Sequence, residues 1–166
     1  MPRKSALIRG QRQKRLIWRG RRAMIEHDVL LATKPEGEEL RRAVSAAAGI
    51  EAERVFVTPD ITTAQGEDYE NARVVIERVD MGGEFPVLLH FYPRAEETAK
   101  DPVPEVKRLA AILKCRVLID DDSDNPWQML EVTPDGTTRT VYLDPDAEDL
   151  GEFNLLKAPN GERKVA

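Results

Sequence analysis

The chain has 166 residues, of which 41% are hydrophobic and 33% are charged, and its formal net charge is −5. This composition suits one globular domain with its own core and excludes a chain that is disordered throughout. No stretch approaches the ~20 apolar residues of a membrane span, so we expect no membrane partner. The single cysteine, Cys115, excludes an internal disulfide and a cysteine-based zinc site, and it favours a cytoplasmic location.

Positive charge is concentrated at the start of the chain. Residues 1–24 hold nine Lys or Arg and no acid, which leaves residues 25–166 with 16 basic and 30 acidic side chains, a net charge of −14. We interpret residues 1–23 as a basic arm ahead of the folded body, or as residues before a true start at Met24. Such an arm is typical of a solvated tail, of a segment lying on its own acidic body, or of a segment that binds nucleic acid. The candidate polyanion-binding residues are Arg12, Lys14, Arg15, Trp18, Arg19, Arg21 and Arg22.

The first half of the body alternates strand and helix patterns. Alternating apolar positions predict a strand over 25–33, and a helical stripe predicts a helix from Pro35 to Gly49. Residue 90, a histidine, alternates with apolar neighbours, so we expect it in the core or at an interface. The further predicted elements are strands at 54–57, 73–79 and 85–92, a long polar connection at 60–71 and a hairpin turn at 80–84.

The second half of the body also contains both patterns, with one more predicted helix and three predicted strands. We predict a helix from Asp101 to Leu113, a strand entering the acidic stretch after Cys115, a returning strand that ends near 133 and a last strand at 138–143. Apolar residues near 153–156 are expected to fold back onto the body.

The resulting prediction is an α+β fold, with a mostly antiparallel sheet and two helices packed on one of its faces. We assign residues 24–157 to a single domain and residues 158–166 to a polar tail. The element order β-α-β-β occurs twice, which is consistent with either an internal pseudo-repeat or chance.

The densest cluster of charge lies between the predicted strands that flank residues 120–127. Four aspartates stand close together and repel one another, so a basic partner would relieve their repulsion. An aromatic side chain beside them suits an interface, although it also suits a core position. The partner-binding candidates are Asp120, Asp121, Asp122, Asp124 and Trp127. The alternative is a solvated hairpin tip.

The same stretch has the ligand spacing of a calcium loop. Asp120, Asp122, Asp124 and Glu131 occupy positions 1, 3, 5 and 12 of a twelve-residue frame, and hard cations bind several oxygen ligands around one point. Calcium or magnesium is therefore a candidate ligand. Three features oppose it, namely Asn125 in place of the usual glycine, Trp127 in place of a small apolar residue, and flanks that predict strands instead of helices.

No catalytic motif is recognisable in the sequence, which favours a non-enzymatic protein without excluding an enzyme whose site forms only in the fold. Our first hypothesis is an interaction module, of the inhibitor or immunity type, whose acidic face binds a basic protein. The alternatives are a nucleic-acid-associated protein that uses residues 1–23 and a divalent-cation-binding domain.

Overall fold

The structure is a computed structural model, and it describes residues 28–94 and 101–157. One short 3₁₀ turn, at Ala52–Arg54, accompanies the main elements. In chain order these elements are β1 (Val29–Leu31), α1 (Gly37–Ala48), β2 (Val55–Thr58), α2 (Glu67–Asn71), β3 (Val74–Asp80), β4 (Gly82–Gly83), β5 (Val87–Pro93), α3 (Val103–Leu113), β6 (Val117–Asp120), β7 (Gln128–Val132), β8 (Thr138–Tyr142), α4 (Pro145–Asp149) and β9 (Glu152–Phe153).

Seven of the described strands form one sheet in the order β2-β3-β5-β1-β6-β7-β8. Neighbouring strands in it are antiparallel except β2 and β3, which are parallel. The predicted α+β class and mostly antiparallel sheet are confirmed. The short β1 lies in the middle, between β5 and β6, so both halves of the chain meet along it.

Both long helices, α1 and α3, pack on one face of the sheet, as predicted. Each presents a stripe of buried residues at helical spacing, which meets the apolar side chains that point to this face from the strands. The Arg108 side chain donates a 2.7 Å hydrogen bond to the Ala47 carbonyl and so ties α3 to the end of α1. The buried stripes consist of Leu40, Ala43, Val44 and Ala47 in α1 and of Val106, Leu109, Ala110 and Leu113 in α3.

The opposite face has a second, smaller core, which the C-terminal segment covers in part. Phe153 and Leu155 fold back as expected and are 1% and 2% exposed. They pack with Phe85 and with sheet residues such as Leu88 and Leu118. Strand β9 pairs in parallel with β4, which fixes this segment beside the loop that joins β3 to β5.

The internal repeat stays unconfirmed. The second half has the predicted β-α-β-β order, but in the first half a short helix separates β2 from β3. In addition, β2 and β3 are parallel, whereas β6 and β7 are antiparallel. The predicted polar connection at 60–71 also differs, since its end forms the single-turn helix α2. Cys115 is buried, and burial raises the pKa of its thiol. In the part of the chain that the structure describes, no helix is long and apolar enough to cross a membrane.

Candidate functional site

The acidic loop, residues 120–127, joins the antiparallel strands β6 and β7, so the predicted strand–acidic turn–strand element is confirmed. Its own side chains shape its backbone. The Asp120 carboxylate accepts the backbone N–H of Asp122 at 2.9 Å, and the Asn125 side-chain oxygen accepts that of Trp127 at 3.0 Å. These contacts two residues apart are the turn-forming bonds expected of Asp and Asn. Asp122 and Asp124 are exposed.

Two residues anchor the acidic loop to the body. The Asp121 carboxylate accepts the backbone N–H of Ser123 at 3.1 Å and a hydrogen bond from the Gln128 side chain. Trp127 is half-buried against the smaller core, and its carbonyl accepts the N–H of Leu143 at 2.8 Å. Trp127 therefore packs into the fold on one side, which agrees with the core alternative, and it keeps some exposed surface beside the aspartates.

The four predicted cation ligands are not brought together. Glu131 is 0% exposed in the middle of β7, where it faces Leu118 on β6 and Arg139 on β8. Its carboxylate forms ion pairs with Arg116, at 3.1 Å, and with Arg139. Among residues 28–94 and 101–157, no group of three or more His, Cys, Asp or Glu side chains is arranged to hold a metal ion. The strand conformation of β7 thus assigns Glu131 to two arginines, away from the frame of a calcium loop.

This buried carboxylate belongs to a network that holds the C-terminal segment on the sheet. Arg116 reaches from Glu131 to Glu84, at 3.4 Å, and its guanidinium lies 5.0 Å from the centre of the Phe85 ring. The other Glu84 carboxylate oxygen accepts the backbone N–H of Leu155 at 3.3 Å. Glu131 is therefore best explained as a structural residue.

A row of polar side chains crosses the sheet on the face away from α1 and α3. Thr58 on β2 faces Glu77 on β3, and Glu77 faces His90 on β5. His90 Nδ1 lies 2.7 Å from an Asp28 carboxylate oxygen, and because an ionised carboxylate only accepts, His90 donates. Asp28 precedes Val29, which pairs with Ile119. Continuing that register places Asp28 beside Asp120, the first residue of the acidic loop.

The row therefore connects the acidic loop to carboxylates of two other strands. We use the name acidic end for six residues, which come from β3, from the position just before β1, and from the end of β6 with its loop. They are Asp28, Glu77, Asp120, Asp121, Asp122 and Asp124. The last four were predicted from the sequence as partner-binding residues, whereas Asp28 and Glu77 were not. The sequence did contain a sign of this row. Glu77 and His90 are polar residues at strand positions where the alternation predicts apolar ones.

Tyr92 is the exposed aromatic residue of this region, with 36% of its surface accessible. Its hydroxyl donates to Glu77 at 3.3 Å, and the second Glu77 oxygen accepts the backbone N–H of Ile61 at 3.0 Å. Burial, the negative charge and hydrogen bond of Glu77, and the negative charge of Asp28 together raise the pKa of Tyr92 to about 12. Tyr92 thus lies in the electrostatic field of carboxylates from two strands.

The raised pKa of Tyr92 predicts a loss of stability in alkali. A tyrosine in the unfolded chain ionises near pH 10, whereas Tyr92 in the folded chain ionises at about 12. The unfolded chain therefore releases its proton first, and the free energy of unfolding falls as pH rises between these values. Urea midpoints measured across this range should fall less for Tyr92→Phe than for the unmodified protein. Parallel curves for the two proteins would contradict the assignment.

An open groove of about 930 Å³ lies elsewhere, between β2 and the start of α1. Its two arginines are already bonded within the fold. Arg41 pairs with Glu38 and donates to the Ala52 carbonyl, while Arg78 pairs with Asp80 and donates to the Pro35 carbonyl. Among the described residues that line the groove, both arginines are therefore already engaged within the fold.

The candidate polyanion-binding residues, Arg12 to Arg22, lie outside the described residues, so that hypothesis stays a prediction. The structure thus brings Asp120, Asp121, Asp122 and Asp124 together with Asp28 and Glu77, and it separates Glu131 from them. In comparisons with protein-family models, curated proteins and solved structures, no significant match to the chain was found.

Proposed function

We propose that the protein is a non-enzymatic interaction module whose acidic end binds a basic protein partner. The observation that supports the proposal is the alignment of Asp28, just before β1, with Glu77 on β3 and with the end of β6 and the acidic loop, in one row on one face of the sheet. Separate segments converge here, so the charge density exceeds what the loop alone provides.

The physical basis is the mutual repulsion of these carboxylates. Unit charges about 5 Å apart, the spacing of neighbouring strands, repel by a few kcal/mol at the effective dielectric of a protein surface. A partner that brings guanidinium or ammonium groups relieves that repulsion and gains attraction as well. Complementary charge of this kind raises association rates and specificity more than it raises raw affinity.

Two aromatic side chains suit the same role. Tyr92 is exposed among the carboxylates, and Trp127 keeps part of its surface beside the loop while its other side packs into the core. Arginine stacks on aromatic rings as well as pairing with carboxylates. A surface that combines both chemistries favours an arginine-rich partner, such as the basic protein that an inhibitor or immunity-type protein would neutralise. We propose a cytoplasmic setting, in keeping with the lone buried Cys115.

The proposal is tested with a fluorescent hexaarginine peptide as the probe, by anisotropy on the full chain. Replacing Asp121, Asp122 and Asp124 with asparagine keeps the turn-forming oxygens and removes three charges. We expect binding to weaken about tenfold, since the loss of three charge interactions of about 0.5 kcal/mol each sums to about 1.5 kcal/mol.

The matched control removes three exposed carboxylates around α1 through Glu36→Gln, Glu39→Gln and Glu51→Gln. Its net charge equals that of the loop variant, so it should bind the peptide almost as the unmodified chain does. Equal weakening in both variants would show that total charge alone governs binding and would overturn the proposal. The proposal would also be overturned if hexaarginine bound neither the unmodified chain nor a chain whose basic arm has been neutralised.

A further inference from the structure

We infer that two copies of this chain associate through the open edges of their sheets, with β2 of one copy paired antiparallel to β2 of the other about a two-fold axis at Val57. The pairing joins the two seven-stranded sheets into one continuous sheet. No residue of β2 belongs to the acidic end, so this inference stands or falls independently of the proposed function.

Strand β2 ends the sheet, and β3 is its single neighbour among the described strands. The groove of about 930 Å³ lies along the outer side of β2, because its wall includes all of residues 55–59, whereas a groove on one face of a strand would contact only alternate residues. An open strand edge with free space beside it can accept an added strand.

The strand register shows which backbone groups β2 presents to this edge. Pro93 has no N–H, so its pair with Val74 on β3 is a non-hydrogen-bonded one. The hydrogen-bonding direction alternates along a strand, so Val74 and, two residues further, Ile76 direct their backbone groups away from β5 and towards β2. Val57 lies opposite Ile76 in the parallel pair. Its own N–H and carbonyl therefore point away from β3, towards the groove.

A two-fold axis at Val57 uses both of these groups. Each Val57 N–H donates to the Val57 carbonyl of the second copy, which forms the closely spaced pair of bonds of an antiparallel ladder. Val55 then lies opposite Pro59 of the second copy. Pro59 has no N–H, and the Val55 N–H already donates to the Ala52 carbonyl, so this pair leaves no donor without a partner.

The charges at the two ends of β2 are complementary in this register, since Arg54 lies opposite Asp60 of the second copy. Arg54 is exposed, and one of its terminal nitrogens donates to the Asn71 carbonyl at 2.9 Å, which holds the guanidinium at the edge. One Asp60 oxygen accepts the hydroxyl of Thr62 at 2.6 Å and its N–H at 2.8 Å, and these bonds lower the pKa of Asp60. The two-fold axis forms this ion pair twice.

The ion pairs favour this register over its neighbours. An axis at Phe56 also lets the Val57 N–H donate, to the Val55 carbonyl, but it places Arg54 opposite the uncharged Thr58. An axis between Phe56 and Val57 places outward backbone groups opposite inward ones and forms no ladder hydrogen bonds. The axis at Val57 combines ladder bonds with opposite charges.

The other edge of the sheet is less open. The C-terminal segment covers part of β8, because the Leu156 N–H donates to the Tyr142 carbonyl at 2.8 Å and Leu155 forms a bridge with Leu143. Among the described strands, β2 is therefore the better site for an added strand.

The test is a charge exchange, with self-association of the full chain followed by sedimentation velocity. A contact this small is typical of weak association, so we expect the unmodified chain to dimerise between about 0.01 and 1 mM. Arg54→Glu places a carboxylate opposite Asp60, and Asp60→Lys places an ammonium opposite Arg54, so each variant alone should associate about tenfold more weakly. Mixing the two variants restores opposite charges at both pairs and should form a mixed dimer. Lys107→Glu, an exposed position on α3, changes the net charge as Arg54→Glu does and should associate like the unmodified chain.

Hydrogen exchange of the unmodified chain locates the contact without any substitution. The Val57 amide should exchange more slowly at the highest concentration than at the lowest, whereas amides inside α1 should not change. Three results would each overturn the inference. They are the mass of a single chain at every concentration, a dimer whose Val57 amide exchanges at an unchanged rate, and a mixture of the two variants that associates no better than either alone.

Discussion

Replacing Glu131 with glutamine is expected to lower the free energy of unfolding by about 3 kcal/mol. The substitution keeps the side-chain volume and removes the charge that Arg116 and Arg139 share. Glu131 is fully buried, and the two arginines keep 25% and 37% of their side-chain surface. Partial exposure lets the arginines recover some hydration, so we expect the lower end of the usual range for breaking a buried ion pair.

Urea unfolding followed by circular dichroism measures this loss as a lower midpoint at unchanged slope. Glu39→Gln provides the matched control, because Glu39 is exposed on α1 and should change stability by less than about 0.5 kcal/mol. If the two variants unfolded at the same urea concentration, Glu131 would not hold the network together, and its assignment as a structural residue would be wrong.

Gly83→Ala is expected to cost about 2–4 kcal/mol by displacing the C-terminal segment. Gly83 has a φ of +85°, and an added Cβ would lie 2.5 Å from the Asn154 side-chain oxygen and 2.8 Å from the Phe153 carbonyl oxygen. The second of these is backbone, so β9 would have to move away from β4. The strain of a positive φ and the overlap therefore add together.

Gly49→Ala separates the two contributions. Gly49 ends α1 with a φ of +67°, but nothing lies within 4 Å of an added Cβ, so we expect only the conformational cost of about 1 kcal/mol. Hydrogen exchange sharpens the comparison, since the Phe85 amide donates to the Phe153 carbonyl at 3.0 Å. That amide should exchange faster in Gly83→Ala and normally in Gly49→Ala. Equal stability losses in the two variants would contradict the close approach of β4 and β9.

The fold class was predictable because its evidence is local. The helical stripe that includes Leu40 and Val44 marks a buried helix face wherever that helix packs, and the same holds for Val106 and Leu109. The parallel pairing of β2 with β3 was not predictable in this way. Whether two strands pair in parallel depends on how the chain returns to the sheet between them. The apolar periodicity of a strand does not indicate which strand lies next to it.

The candidate site was predictable only where it is contiguous. Asp120 to Asp124 stand together in the sequence, so their clustering was visible at once. Asp28, Glu77 and His90 are far apart in the chain, and only the order β3-β5-β1-β6 places them side by side. Spacing was misleading at Glu131, which matches a calcium-loop position although its strand directs it to two arginines.

The face away from the long helices thus has two parts with different roles. Around Glu131, the carboxylate is buried and paired with arginine, and Arg116 links it to Glu84, which bonds to the C-terminal segment. At the acidic end, Asp122 and Asp124 are exposed, while the half-buried carboxylates of Asp120 and Asp121 shape the turn. We attribute stability to the first part and propose partner binding for the second.

The most direct test of this account is an NMR titration of the full chain with hexaarginine at low salt. We predict that the largest amide shift changes occur at residues 120–124, Glu77 and Tyr92, and that about 1 M salt abolishes them. The amides around α1 and the groove near Arg41 should change little. Shifts centred on that groove, or spread evenly over the described surface, would contradict the claim that the acidic end is the binding site.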